Sequence, residues 1–150
     1  GGNPHSEGVI EVTASDNPRY QCYNVLDYGW NNCWWTKNVP NSWIQFDMKD
    51  SRVSLASYTI KTYGGPSGAI HLKQWKIEGS DDCSNWTELD ARKDTDVLDG
   101  PYLAKNFECS QGTNEFFRYI RLTQTDRNWR RTHELVISEI EFFGRFLSSK

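Results

Sequence analysis

Apolar residues along this chain recur at every second position far more often than at helical spacing. In 42–48 the alternation is complete: Ile44, Phe46 and Met48 share one face, and Trp43, Gln45 and Asp47 share the other. That is the period of a strand with one buried face. The same test, helped by β-branched and aromatic enrichment, predicts strands over 9–13, 54–63, 72–79, 86–89, 103–109, 116–124 and 134–143. Breaks fall where turn residues gather: Gly64-Gly65-Pro66-Ser67-Gly68, the polar turn Asp81-Asp82-Cys83-Ser84-Asn85, an acidic stretch over 90–101 and a polar, basic loop over 125–132. The longest irregular stretch, 14–41, is rich in Asn, Pro, Tyr and Trp, with a helical turn expected near 23–27. Eight short strands with no strong helix between them predict an all-β antiparallel sandwich or barrel rather than an α/β fold.

Composition narrows the class. At 150 residues, 37% hydrophobic and 25% charged, the chain has the makings of one folded domain. We expect that domain over 9–146, after a flexible segment at 1–8 and before a tail at 147–150. No apolar run approaches the roughly 18 residues of a membrane span. A net charge of −3 argues against nucleic-acid binding held by global charge. The cysteines at 22, 33, 83 and 109 form no C-x-x-C pair and have no zinc spacing. Four thiols are thin for a disulfide framework, so they read as free, in a cytoplasmic rather than a secreted protein. Pairing of Cys22 with Cys33, or of Cys83 with Cys109, belongs to the secreted alternative, as does the sequon Asn85-Trp86-Thr87. Residues 1–8 contain no apolar stretch of the kind a secretion signal needs.

Catalytic motifs are missing. The histidines, at 5, 71 and 133, fall in no H-E-x-x-H pattern; there is no G-x-S-x-G elbow and no phosphate loop. Neither Cys22 nor Cys33 has a histidine base at a telling spacing, and the acidic run 90–99 reads as a solvated face. The expectation is therefore a protein that is not an enzyme. Aromatics are 14% of the chain, with seven tryptophans. Trp43, Trp75 and Trp86 lie in or beside predicted strands and should pack; Trp30, Trp34 and Trp129 lie among polar loop residues, where an open ring can stack on a sugar or anchor a partner. Arg127, Arg130 and Arg131 surround Asn128 and Trp129 in one loop, and guanidinium forks suit carboxylate or phosphate recognition. Arg118, in a strand, reads as a structural ion-pair partner.

Several stretches carry a family resemblance. They are Asn41-Ser42-Trp43-Ile44-Gln45-Phe46-Asp47, Trp75-Lys76-Ile77-Glu78-Gly79-Ser80, Ser84-Asn85-Trp86-Thr87, Phe117-Arg118-Tyr119-Ile120-Arg121-Leu122 and Ser138-Glu139-Ile140-Glu141-Phe142-Phe143-Gly144. In this order they resemble the discoidin, or coagulation factor V/VIII type C, domains, which are galactose-binding-like jelly rolls. The run 71–80, with Leu122-Thr123-Gln124-Thr125 and Asn128-Trp129, is most similar to an intracellular subgroup found beside BTB modules.

The resemblance implies an eight-stranded antiparallel β-sandwich jelly roll whose loops at one end bind. By position those loops are 19–38, 63–71 and 126–133, and the implied ligand-binding residues are Trp30, Trp34, Tyr63, His71, Trp129, Arg130 and His133. The family pattern sends Trp35 inward. Many sugar-binding relatives also hold a structural calcium; here the implied ligands are Asp27 and Glu139, although the turn Leu26-Asp27-Tyr28-Gly29 lacks the family's second acid. The loops carry no Leu or Met tip, so membrane insertion is not implied. The leading reading is a non-catalytic module that binds a protein partner as part of a larger chain. The alternatives are a galactose-type carbohydrate-binding module with calcium, and a purely structural domain.

Overall fold

The alternation in 42–48 becomes β3 (Trp43–Asp47), with Ile44 and Phe46 fully buried and Trp43, Gln45 and Asp47 half-exposed. It lies in a computed structural model that describes residues 3, 8–16 and 22–148. The other strands are β1 (Glu11–Ala14), β2 (Trp34–Trp35), β4 (Ser51–Lys61), β5 (Trp75–Ser80), β6 (Thr87–Arg92), β7 (Ala104–Glu108), β8 (Tyr119–Gln124), β9 (Val136–Ile137) and β10 (Glu139–Ser148). A 3-10 helix, Cys22–Leu26, fills the expected helical turn.

Two sheets, in the orders β1-β3-β8-β5-β6 and β10-β4-β7, make the eight-stranded antiparallel sandwich. Its core combines the inward residues of both sheets, among them Ile44, Phe46, Trp75, Ile77, Ile120 and Leu122 from the first and Val53, Leu55, Tyr58, Ile60 and Ile140 from the second. The short antiparallel pair β2–β9 stands outside these two sheets, and β2 is an addition to the expected strands.

β4 holds the largest departure from simple alternation. Its buried positions change phase, from Val53 and Leu55 to Tyr58 and Ile60. Opposite, the register with β10 steps from Phe143–Ser57 to Gly144–Leu55 and skips Ala56. One extra residue in a strand reverses which face its side chains take, so this bulge returns both halves of β4 to the core. Gly144 permits it: a Cβ there would fall against the Ser54 carbonyl oxygen and 3.0 Å from the Ala56 nitrogen, both rigid backbone. Gly144→Ala is expected to cost about 1–3 kcal/mol as an overpacking change, read as a lower urea midpoint.

Several expectations need correction. β10 runs to Ser148, with Leu147 paired to Arg52 and Ser148 to Ser51, so 147–148 are strand rather than tail. The strand expected over 134–143 is two pieces, split at Ser138. Asp90 is not part of a solvated acidic face but fully buried. Of the expected N-terminal segment, residues 1–2 and 4–7 lie outside the described residues, as do 149–150 of the tail. All four cysteines stand free. No helix among the described residues is long and apolar enough to cross a membrane.

Trp43 and Trp86 pack outside the core, on the solvent face of the five-stranded sheet. The Arg121 guanidinium lies 4.1 Å from one ring centre and 4.3 Å from the other, and its Nε and Nη2 donate to Gln45 Oε1. Arg118 is the structural partner anticipated, bidentate to Asp47 at 2.8 and 3.1 Å.

Candidate functional site

The loop after β8 owes its shape to one side chain. Asn128 is 2% exposed. Its Oδ1 accepts from the backbone N–H of Arg130 (3.0 Å) and Thr132 (3.1 Å), while its Nδ2 donates to the Glu134 carbonyl (2.9 Å) and Thr132 Oγ1 (3.0 Å). The Asn128 N–H donates to the Thr132 carbonyl at 2.9 Å, closing the loop, and Arg131 sits at φ 69° inside it. An Asn amide that bonds its own downstream backbone replaces regular structure here.

Neighbouring loops are tied to this one. Trp129 N–H donates to the His71 carbonyl (3.0 Å), Trp129 Nε1 to the Thr95 carbonyl (3.0 Å), and His133 N–H to Asn38 Oδ1 (2.6 Å). Gln74 Nε2 reaches the Arg127 carbonyl at 3.3 Å. Segments near 38, 71–74, 95 and 127–134 therefore form one knitted end of the sandwich.

The seven implied ligand-binding residues divide. Tyr63, His71 and Trp129 come together: the Tyr63 ring lies 4.9 Å from the His71 ring, and its hydroxyl accepts from the Ile70 N–H. Arg130 and His133 share the Asn128 loop. Trp30 and Trp34 do not join them. Trp34 is 0% exposed in β2, paired with Ile137, and Trp30 packs against the core with its carbonyl bonded by Ser138 Oγ.

Burial also removes His71 from the surface. It is 1% exposed, and its Nε2 lies 2.7 Å from the Gly65 carbonyl. A carbonyl can only accept, so Nε2 carries the proton and buried Nδ1 is left without a partner. Trp129 is half-buried, and Lys73 Nζ lies 4.4 Å above its ring while also pairing with Asp94 (3.2 Å). None of the tryptophans among the seven is left as a bare platform.

Sequence reasoning missed Asn128 and Lys73. An Asn inside a polar, Arg-rich loop is a signal for a self-bonded turn. Nothing local in the sequence pairs Lys73 with Trp129.

What stays open on this end is charge. Arg127, Arg130 and Arg131 are exposed, and among the described residues none of the three forms an ion pair. The sequence places one acid, Asp126, among them over 126–133, and its Oδ1 accepts from the Arg127 backbone N–H.

Glu139, one of the two implied calcium ligands, does not fit the ion. Calcium takes six to eight oxygens, but Glu139 has both of its engaged: Oε1 accepts from Gly29 N–H (3.0 Å) and Oε2 lies 2.8 Å from Lys61 Nζ. The Asp27 carbonyl accepts from Trp30 N–H within the turn. Among the described residues no group of three or more His, Cys, Asp or Glu is placed to hold a metal. As the side chains stand, Glu139 therefore offers calcium no oxygen that is not already bonded.

Comparison with known proteins bears on both fold and role. The family model for the F5/8 type C domain matches residues 11–137. Among curated proteins, the E3 ubiquitin-protein ligase Ufd4 of Drosophila melanogaster is 30% identical over 151 residues, covering 95% of this chain and 5% of the relative. The E3 ubiquitin-protein ligase hecd-1 of Caenorhabditis elegans is 26% identical over 147 residues, with the same shares. The chain thus spans about a twentieth of the length of these relatives. Among solved structures, CBM32-3 from a family 31 glycoside hydrolase of Clostridium perfringens superposes with a TM-score of 0.72 at 19% identity, covering 92% of each chain. A fucolectin from striped bass serum does so at 0.69 and 18%, covering 91% of this chain and 45% of the other.

Proposed function

The chain belongs to the F5/8 type C domain family, and from that membership we propose that it is a non-catalytic recognition module that grips a protein partner through the Asn128 loop and its neighbours. One observation carries this reading: the tryptophan rings of the implied site are packed or covered, while among the described residues three arginines on the Asn128 loop form no ion pair. A sugar platform needs an open ring. Trp34 is in the core, His71 is buried, and Lys73 covers Trp129. The guanidinium groups keep donors free, and Asn128 has already fixed their backbone, which lowers the ordering cost of binding.

The chemistry that suits them is a carboxylate-bearing segment of a folded or extended protein. Arg127, Arg130 and Arg131 would contact it, with exposed Lys37 and half-buried His133 beside them. The curated relatives, both named as ubiquitin-protein ligases, support a protein partner and a place in a longer chain. We also propose a reducing, cytoplasmic setting, supported by four cysteines that stand free. Burial, with the Asp90 charge adding to it, pushes the Cys109 thiol up to about 11, and burial raises Cys22 and Cys33.

The test uses a labelled Glu/Asp-rich decapeptide and its Gln/Asn counterpart in fluorescence anisotropy. The acidic peptide is expected to bind preferentially and to weaken with added salt. The triple variant Arg127→Gln, Arg130→Gln, Arg131→Gln should lose about ten-fold in affinity, roughly 1.4 kcal/mol. Sub-millimolar binding of a galactose-type glycan that survives in the triple variant would replace this reading with a carbohydrate-binding one.

A further inference from the structure

We infer that the ammonium group of Lys61 does in this chain what a bound divalent cation would do, tying the 27–31 turn to the start of the last strand, so that the fold needs no calcium. Lys61 ends β4 and faces Glu139, the first residue of β10, in register. Main-chain bonding holds the pair: Ser138 N–H donates to the Lys61 carbonyl at 2.9 Å. The side chains then reach across to the turn. Glu139 Oε2 lies 2.8 Å from Lys61 Nζ and its Oε1 accepts from Gly29 N–H at 3.0 Å, while Lys61 Nζ also donates to Asn31 Oδ1 at 3.1 Å. One positive charge thus meets oxygens of both elements, and the carboxylate clasps the turn at a second point.

Exposure and charge separate this cluster from an ordinary surface ion pair. The Lys61 and Glu139 side chains are 22% and 11% exposed, so solvent screens them poorly. Gly29 sits at φ 111°, a conformation other residues rarely adopt, and glycine there lets the turn present its amide to Glu139. Tyr28 and Glu141 line the same small hollow, of about 170 Å³, together with Lys61 and Glu139. A calcium ion entering it would have to displace an ammonium already bonded to the oxygens it needs. A carboxylate left there without Lys61 would be a mostly buried charge next to a second carboxylate, Glu141, which is an unfavourable arrangement.

Thermal unfolding with and without cations decides the matter and involves no ligand of the loop end, so its outcome is independent of the function proposed above. The unaltered protein is expected to melt at the same temperature in millimolar EDTA and in millimolar calcium chloride. Lys61→Met should lower the melting temperature by roughly 5–10 °C and speed hydrogen exchange at the Gly29 amide. Lys61→Arg, which keeps the charge, should retain most of the stability, and it remains informative if Lys61→Met does not fold. Combining Lys61→Met with Glu139→Gln should cost little more than either change alone, the mark of one shared interaction. A melting temperature that falls in EDTA and recovers with calcium would overturn the inference. So would a Lys61→Met protein that melts like the unaltered one with the Gly29 amide still protected.

Discussion

Trp75→Ala is expected to remove about 3–5 kcal/mol of folding free energy, a large share of the roughly 5–15 kcal/mol that holds a typical domain together. The ring is 0% exposed between the two sheets, edge-on to Phe107 with centroids 5.1 Å apart. Alanine leaves a void that rigid β5 and its neighbours β6 and β8 cannot close. It also removes a hydrogen bond, because Trp75 Nε1 donates to the Tyr58 hydroxyl at 2.8 Å. Trp75→Phe separates the two losses: most of the volume stays and the donor goes, so about 1 kcal/mol or somewhat more is expected from the missing bond, plus a smaller packing cost. Urea unfolding of the three proteins measures this. A loss below about 1 kcal/mol for the alanine variant would contradict a core position for Trp75.

The second large effect lies one bond further along the same network. The Tyr58 hydroxyl donates to Asp90 Oδ2, Arg92 Nε donates to the same oxygen at 3.0 Å, and Ser110 N–H donates to Oδ1 at 3.1 Å. Asp90→Ala strips the partner from a buried hydroxyl, a half-buried guanidinium and a backbone amide at once, so a loss of about 3–5 kcal/mol is expected. Asp90→Asn keeps the shape and some acceptor capacity and should cost less.

The same carboxylate predicts an acid dependence. Burial by itself would raise the pKa of Asp90, but the donors from Tyr58, Arg92 and Ser110 outweigh it and hold the pKa below the ordinary carboxylate range. Asp47 is lowered in the same way: burial again opposes, and the bidentate Arg118, the Lys49 N–H and nearby positive charges prevail. In the unfolded chain such groups titrate near 3.9. Above that pH both states are ionised and the full stabilisation is present. As pH falls, the unfolded state takes up protons first, and the stabilisation drains away until the folded groups protonate as well. The urea midpoint should therefore change little on this account between about pH 7 and 5 and drop below about pH 4. The drop should be shallower in Asp90→Asn, and an unchanged acid profile in that variant would remove Asp90 from the explanation.

Local order made much of the fold legible. Period-two alternation marked β3 and β5, Gly and Pro clusters marked the turns after β4, and the helical turn at Cys22–Leu26 was placed to within a residue. Legibility failed where a tertiary feature altered the local signal. The bulge at Ala56 changes the phase of β4, so its first half did not match the alternation of its second. The basic loop was legible as a cluster of arginines, but not as a rigid one, since the rigidity comes from an Asn128 amide that is satisfied only once the loop has closed.

The positions of most strands and turns and the scarcity of helix were determined by the sequence alone, because each depends on residues within a few positions of one another. The tertiary structure alone decided which loop aromatics vanish into the interior, which acid becomes a buried acceptor, and what sits against Glu139. Trp34 is buried because Ile137 pairs with it, Asp90 because Tyr58 reaches it from the other sheet, and Glu139 because the last residue of β4 brings an ammonium to it. These partners are far apart in the chain, and contacts of that kind take shape only when the two sheets close on each other.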